Sequence, residues 1–145
     1  PSIASARGNL TPPAHGRVVQ GFGDKTIAGP RARGVTWKTR ADASVVAPWD
    51  GRIAFAGPFR RFGQILIIDH GEGYHTLIAG MAQIDGEVGQ WLLAGEPVGQ
   101  MGSQNIAANA NNNGGSPQLY LELRRQGEPI NPLTWLALSD RKVNG

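Results

Sequence analysis

Few side chains in this sequence could carry out covalent or metal chemistry, and their spacing limits what that chemistry would be. There are three histidines, His15, His70 and His75, and no cysteine. His70 and His75 stand five residues apart across a glycine turn and His15 is distant, so neither a His-Glu-x-x-His pair nor a convergent third ligand is evident. The lack of cysteine excludes disulfides, thiolate metal sites and cysteine nucleophiles together. Asp69-His70 and scattered serines occur without a Gly-x-Ser-x-Gly elbow, which argues against a serine hydrolase. The densest set of polar groups lies on one stretch, Gln118-Leu119-Tyr120-Leu121-Glu122-Leu123-Arg124. Its period of two predicts a strand with leucines on one face and Gln118, Tyr120, Glu122 and Arg124 on the other. The Tyr120 phenol supplies flat apolar area with a hydrogen-bonding tip, and Arg124 shares its face. Thr36 and Lys38 share a face in a second extended segment, and His75 lies on a strand leading toward the same place.

The elements that must position these residues are short strands. Gly at 21 and Pro at 10 indicate many tight turns, and hydrophobic residues at 40% with charged residues at 17% describe a chain that folds. The length suits one domain with one core. Net charge is +3, weak evidence for an anionic partner, and no basic run interleaves with aromatics as a nucleic-acid interface would require. No apolar stretch reaches the length of a membrane span. Ser44 to Pro48, a turn at Asp50-Gly51 and Arg52 to Ala56 read as a hairpin. Gln64 to Asp69 is a continuous apolar run, expected to be buried on both faces, and Gly71-Glu72-Gly73 turns it into Tyr74 to Ile78. Ser103 to Pro117, with five Asn, reads as a long mobile loop. Asn131-Pro132 fits the N-cap and first position of a short C-terminal helix. The sum is an all-β antiparallel sheet or sandwich. Residues 1–15 are expected to be a flexible lead-in, 16–137 the folded domain and 138–145 a tail. The chain opens on Pro1 rather than Met, as a piece of a longer protein would.

Several phrases together resemble the lysostaphin-like, LytM-type zinc endopeptidases of bacterial cell walls. They are Val45-Val46-Ala47-Pro48-Trp49-Asp50-Gly51-Arg52-Ile53, Gly63 through Gly71, Gly95-Glu96-Pro97-Val98-Gly99, and strand 118–124 followed by Gly127 and Asn131-Pro132. Active members hold zinc through a His-x-Gly-x-Asp segment and a later His-x-His strand, and use a further histidine after the Gly-rich turn. Here, anchored on Gly34, the first segment reads Ala32-Arg33-Gly34-Val35-Thr36, the His-x-His strand reads Gln118-Leu119-Tyr120, and the remaining histidine position falls near Gly80. The resemblance therefore implies a LytM domain with Ala32, Thr36, Gly80, Gln118 and Tyr120 at degenerate ligand or catalytic positions, hence no bound metal, no cofactor and no catalysis.

That pattern is similar to the EnvC-like murein hydrolase activators. The similarity implies a periplasmic location, a part in daughter-cell separation, and a zinc N-acetylmuramoyl-L-alanine amidase as partner, bound through its autoinhibitory helix. Such activators carry upstream coiled coils that tie them to the division machinery. The expected partner-binding residues are Arg33, Tyr120 and Arg124 at the centre, with Thr36, Lys38, His75, Gln118 and Glu122 nearby. Two other functions compete: direct binding of peptidoglycan, and murein endopeptidase activity with unorthodox ligands. A biotinyl or lipoyl carrier is set aside because Lys25, Lys38 and Lys142 lie in no suitable hairpin.

Overall fold

The computed structural model describes residues 1–105 and 115–138, without the side chain of Arg61. Ten strands occur among them: β1 (Gly16–Gln20), β2 (Val35–Thr39), β3 (Ser44–Val46), β4 (Gly51–Pro58), β5 (Gln64–Gly71), β6 (Tyr74–Ile84), β7 (Trp91–Leu92), β8 (Pro97–Met101), β9 (Gln118–Arg125) and β10 (Glu128–Ile130). The main path runs β1-β2-β9-β6-β5-β4-β7, with β10 beside β9, and β8 joining the far end of β6 to β3. Every named strand pair is antiparallel. The all-β reading therefore holds.

Alternation builds one dry face. Val35 and Trp37 of β2 lie opposite Leu121 and Leu119 of β9, while Thr76 and Ile78 of β6 lie opposite Leu123 and Leu121. Leu66 and Ile68 of β5 continue the row across to Ile53 of β4. Val45, Ala47, Val98, Met101, Trp135 and Leu136 belong to the same buried cluster. Fully burying one aliphatic side chain of this size contributes about 1.5–3 kcal/mol, so this face holds the fold together and leaves the opposite face free for other uses.

Two expectations need correction. Residues 1–15 are tied down rather than flexible: Ile3, Ala6 and Leu10 are core residues, and Leu10 forms a parallel bridge with Leu136. The Leu10 N–H donates to the Trp135 carbonyl at 3.0 Å, and the Ser2 hydroxyl donates to Glu72 at 2.6 Å. Three apolar residues spaced through a small, polar segment were enough to dock it. Nor do Ser44–Val46 and β4 form a hairpin, since β3 pairs with β8 and β4 pairs with β5 and β7. Gly51 is not in a left-handed conformation. It is small because a Cβ there would stand 2.7 Å from the Asp69 carbonyl oxygen and 2.9 Å from His70 Nδ1. The turn signal at Asp50-Gly51 was a close-packing signal.

The Gly71-Glu72-Gly73 turn does join β5 to β6, with positive φ at all three residues. Gln64–Asp69 is less buried than expected, with Ile67 partly exposed and Asp69 exposed. Pro132–Thr134 is a single 3-10 turn, and the Asn131 side chain accepts from the Leu133 N–H at 3.0 Å as an N-cap. Most of the Asn-rich segment, 106–114, and residues 139–145 of the tail lie outside the described residues.

Candidate partner-binding cleft

The face opposite the core is built in cross-strand rows. Thr36 of β2 pairs with Tyr120 of β9, and Tyr120 with Ala79 of β6. Leu77 lies opposite Glu122 on one side and Ile67 on the other. His75 lies opposite Arg124 and beside Asp69. Lys38 pairs with Gln118 at the edge of the set. The alternation of strand 118–124 therefore brings Thr36, Lys38, His75, Gln118, Tyr120, Glu122 and Arg124 onto one surface. Arg33 is exposed just before β2, close enough that its charge acts on the Tyr120 phenol. Ala32 is buried, and its carbonyl accepts from the Gly23 N–H at 2.8 Å.

Glu122 organises this surface. It is 8% exposed, the most buried carboxylate in the structure's described part. The Tyr120 hydroxyl donates to Glu122 Oε2 at 2.6 Å, and Arg124 Nε donates to Glu122 Oε1 at 2.8 Å. A buried carboxylate is tolerable only when so compensated. Burial pushes the Tyr120 phenol well above the ordinary tyrosine range, and the hydrogen bond to Glu122 and the Glu122 charge add to it, while Arg124 and Arg33 oppose. The phenol thus stays protonated and spends its hydrogen on Glu122, so toward a partner its oxygen can only accept. Glu122, expected near the centre of the partner site, is buried and accepts from both Tyr120 and Arg124.

Gly34 makes room for this arrangement, because a Cβ there would fall 2.9 Å from the Tyr120 ring and 3.0 Å from Glu122 Cγ. Gly80 is the extra residue of a bulge in β6, with Gln64 paired to Met81 and Ile65 to Ala79. Its φ is +105°, and any Cβ would overlap the Gln118 carbonyl oxygen. A larger side chain at 80 would need β9 to move.

His70 and His75 are separated in role. His70 is largely buried, with Nδ1 at 2.7 Å from the Asp50 carbonyl and Nε2 at 2.9 Å from the Thr76 hydroxyl. The carbonyl can only accept, so Nδ1 carries the hydrogen and Nε2 accepts from Thr76. Burial lowers the His70 pKa below its ordinary value, with the Asp50 carbonyl opposing. It is a structural clamp between β5, β6 and the loop before β4. His75 is on the cleft, 3.8 Å from Asp69 across exposed surface.

Sequence reasoning missed the apolar part of the cleft. A cavity of about 560 Å³ is lined by Phe55, Phe59, Ile65, Ile67, Leu77 and Arg124 among others, and a smaller one of about 200 Å³ runs on to Tyr120 and Glu122. The two share Phe59, Ile65, Leu77 and Arg124, so they form one trough along β9. Phe55 reaches it through a bulge: Ile53 pairs with Ile68 but Phe55 with Ile67, which turns Phe55 to the face opposite Ile53.

The antiparallel sheet thus has one packed face and a trough across the other, beside the β9 row. Residues 30–132 match the model of Peptidase family M23, and the chain belongs to that family. It is 28% identical over 134 residues to the murein hydrolase activator EnvC of Escherichia coli, covering 92% of this chain and 30% of that protein. It is 28% identical to the cell division protein DipM of Caulobacter vibrioides, covering 90% of this chain and 21% of that one. The chain thus spans less than a third of the length of these relatives. Its fold matches the solution structure of lysostaphin with a TM-score of 0.70 at 18% identity, over 88% of this chain and 52% of that one.

The residues set by resemblance against the family's zinc positions do not fit a zinc ion. Ala32 offers a methyl group, Gly80 nothing, Thr36 a hydroxyl, Gln118 an amide, and Tyr120 a phenol held protonated. A hydrolytic zinc needs three imidazole, thiolate or carboxylate ligands and an open position for water. Glu122, the carboxylate beside Tyr120, has both of its oxygens engaged.

Proposed function

We propose that this domain is a non-catalytic activator of a periplasmic zinc amidase that cleaves peptidoglycan, and that it binds the amidase's autoinhibitory helix in the trough. The observation that carries the reading is the Tyr120–Glu122–Arg124 chain, in which a buried carboxylate accepts from a phenol and a guanidinium on the open face of the sheet. Such a row fixes two contact side chains before a partner arrives, which lowers the ordering cost of binding. Tyr120 supplies apolar area and an acceptor, and Arg124 keeps charge at the surface with its side chain 38% exposed. Arg33, Thr36, Lys38, Gln118 and His75 surround them and complete the contact surface. Kinship with EnvC supports the activator role, and kinship with DipM supports a place in cell division. No helix of the described residues is long and apolar enough to cross a membrane.

The test is calorimetric titration of the cognate amidase with the wild-type domain and with Tyr120→Ala/Arg124→Ala. The wild type should bind and the double variant should lose at least tenfold in affinity. A folded double variant that binds and activates as well as the wild type removes this site.

A further inference from the structure

The trough continues well beyond the polar row, and its far part is apolar and open. Ile65, Ile67 and Leu77 form its floor. Phe55 and Phe59 form one wall, 36% and 42% exposed, their rings edge-on at 6.4 Å. Phe62, 51% exposed, stacks on Phe59 at 6.4 Å and extends that wall toward Tyr120. Three of the chain's four phenylalanines are thus exposed together along a concave surface. Contiguous exposed apolar surface of this kind marks a binding site rather than scattered surface residues.

The opposite wall carries Arg124, ion-paired with Glu122. Arg124 uses Nε on Glu122, which leaves its two terminal nitrogens without an acceptor among the described residues. Lys38 lies opposite Gln118 and Arg33 is exposed just before β2, both outside the lining of the two cavities, and the Arg124–Glu122 pair is neutral in sum. Asp69 is the other carboxylate on this face and lies next to His75. From Arg124 to Tyr120 the trough runs four residues along β9, about 13 Å at strand spacing, or two to three turns of helix.

We infer that this basin is an anchor pocket for bulky apolar side chains of an acidic amphipathic helix, with Arg124 taking a carboxylate from the same helix. The inference rests on the reading of the cleft as a helix-docking surface and adds what the helix must carry. Apolar residues one turn apart fill the space between Phe55, Phe59 and Leu77, and a glutamate or aspartate on the flank meets the guanidinium. An apolar floor beside an arginine whose terminal nitrogens stay open suits that pairing.

The probe is a fluorescein-labelled helical peptide with two leucines one turn apart and two glutamates along one flank, followed by fluorescence anisotropy. The wild-type domain should bind it. Phe55→Ala/Phe59→Ala should weaken binding at least tenfold, and so should alanine in place of the peptide leucines. Lysine in place of the peptide glutamates should weaken it at least fivefold. Both rings are partly exposed, so the variant should fold; Phe59→Ser alone makes the same comparison if the double variant melts early. No binding by the wild type, equal binding by the phenylalanine variant, or equal binding of the lysine peptide overturns the inference. Displacement of the peptide by a soluble muropeptide at equal concentration overturns it too, in favour of a wall-peptide site. Amidase activation by the same variants separates the two claims. If Phe55→Ala/Phe59→Ala activates normally while Tyr120→Ala does not, the pocket is wrong and the docking site stands. If neither variant alters activation, the docking site falls.

Discussion

Replacing Glu122 with glutamine tests the organisation of the cleft without changing its shape. In the native chain one carboxylate accepts from a phenol at 2.6 Å and from a guanidinium at 2.8 Å. Glutamine has one acceptor oxygen. It can keep the Tyr120 bond only by turning its NH2 toward Arg124 Nε, where two donors face each other. A hydrogen bond to a charged group contributes about 1.5–3 kcal/mol. Removing the desolvated charge returns part of this, because burying a carboxylate is itself costly. The net loss should therefore be about 1–2 kcal/mol, or roughly 2–8 °C in Tm for a chain of this size. Urea unfolding followed by tryptophan fluorescence measures it, since Trp37 and Trp135 are buried. Glu122 also raises the Tyr120 pKa, so in Glu122→Gln the phenol should ionise at lower pH in an ultraviolet titration. A variant as stable as the wild type, with unchanged tyrosine ionisation, would refute the claim that Glu122 holds Tyr120 and Arg124 in place.

Three further outcomes follow from single positions. Gly80→Ala forces a Cβ onto the Gln118 carbonyl at a φ of +105°; it should cost at least about 1–3 kcal/mol in chemical denaturation, and an unaltered midpoint would mean the bulge is slack. Leu10→Ala should cost about 2–5 kcal/mol, because Leu10 is 1% exposed; a neutral result would restore the flexible lead-in. His70 is held below its ordinary pKa of 6.5 by burial, so the unfolded chain takes up the proton first. The stability it contributes is complete above about pH 6.5 and is lost as the pH falls toward its folded-state pKa. His70→Asn keeps a donor for Asp50 and does not titrate. Its unfolding free energy should therefore fall less than that of the wild type between about pH 7 and about pH 5, and equal slopes would exclude His70 as the source.

What the sequence made legible was what depends on one strand at a time. Alternation in 118–124 placed three leucines on one face and Gln118, Tyr120, Glu122 and Arg124 on the other, and Asn131-Pro132 marked the C-terminal turn. The composite of turns and short apolar runs was sufficient for an all-β sheet. What escaped depends on two strands at once. Glu122 looks like a surface residue by period, and its burial comes from Leu77 and Arg124 flanking it across and along the sheet. Phe55 shares a parity with Ile53, and only the bulge between them sends it to the trough. Gly51 was read as a turn residue because close approach by Ile68, Asp69 and His70 is invisible to local pattern. Gly80 was read as a vacated position, while its positive φ and the close Gln118 carbonyl leave no room for a side chain there.

The central claim is that this chain acts on peptidoglycan only through a second protein. Soluble muropeptides released from purified sacculi should be counted for the domain alone, for its cognate amidase alone and for the two mixed. The account expects none from the domain, a low level from the amidase and a large rise in the mixture. Release by the domain alone, or a mixture no more active than the amidase, would contradict it.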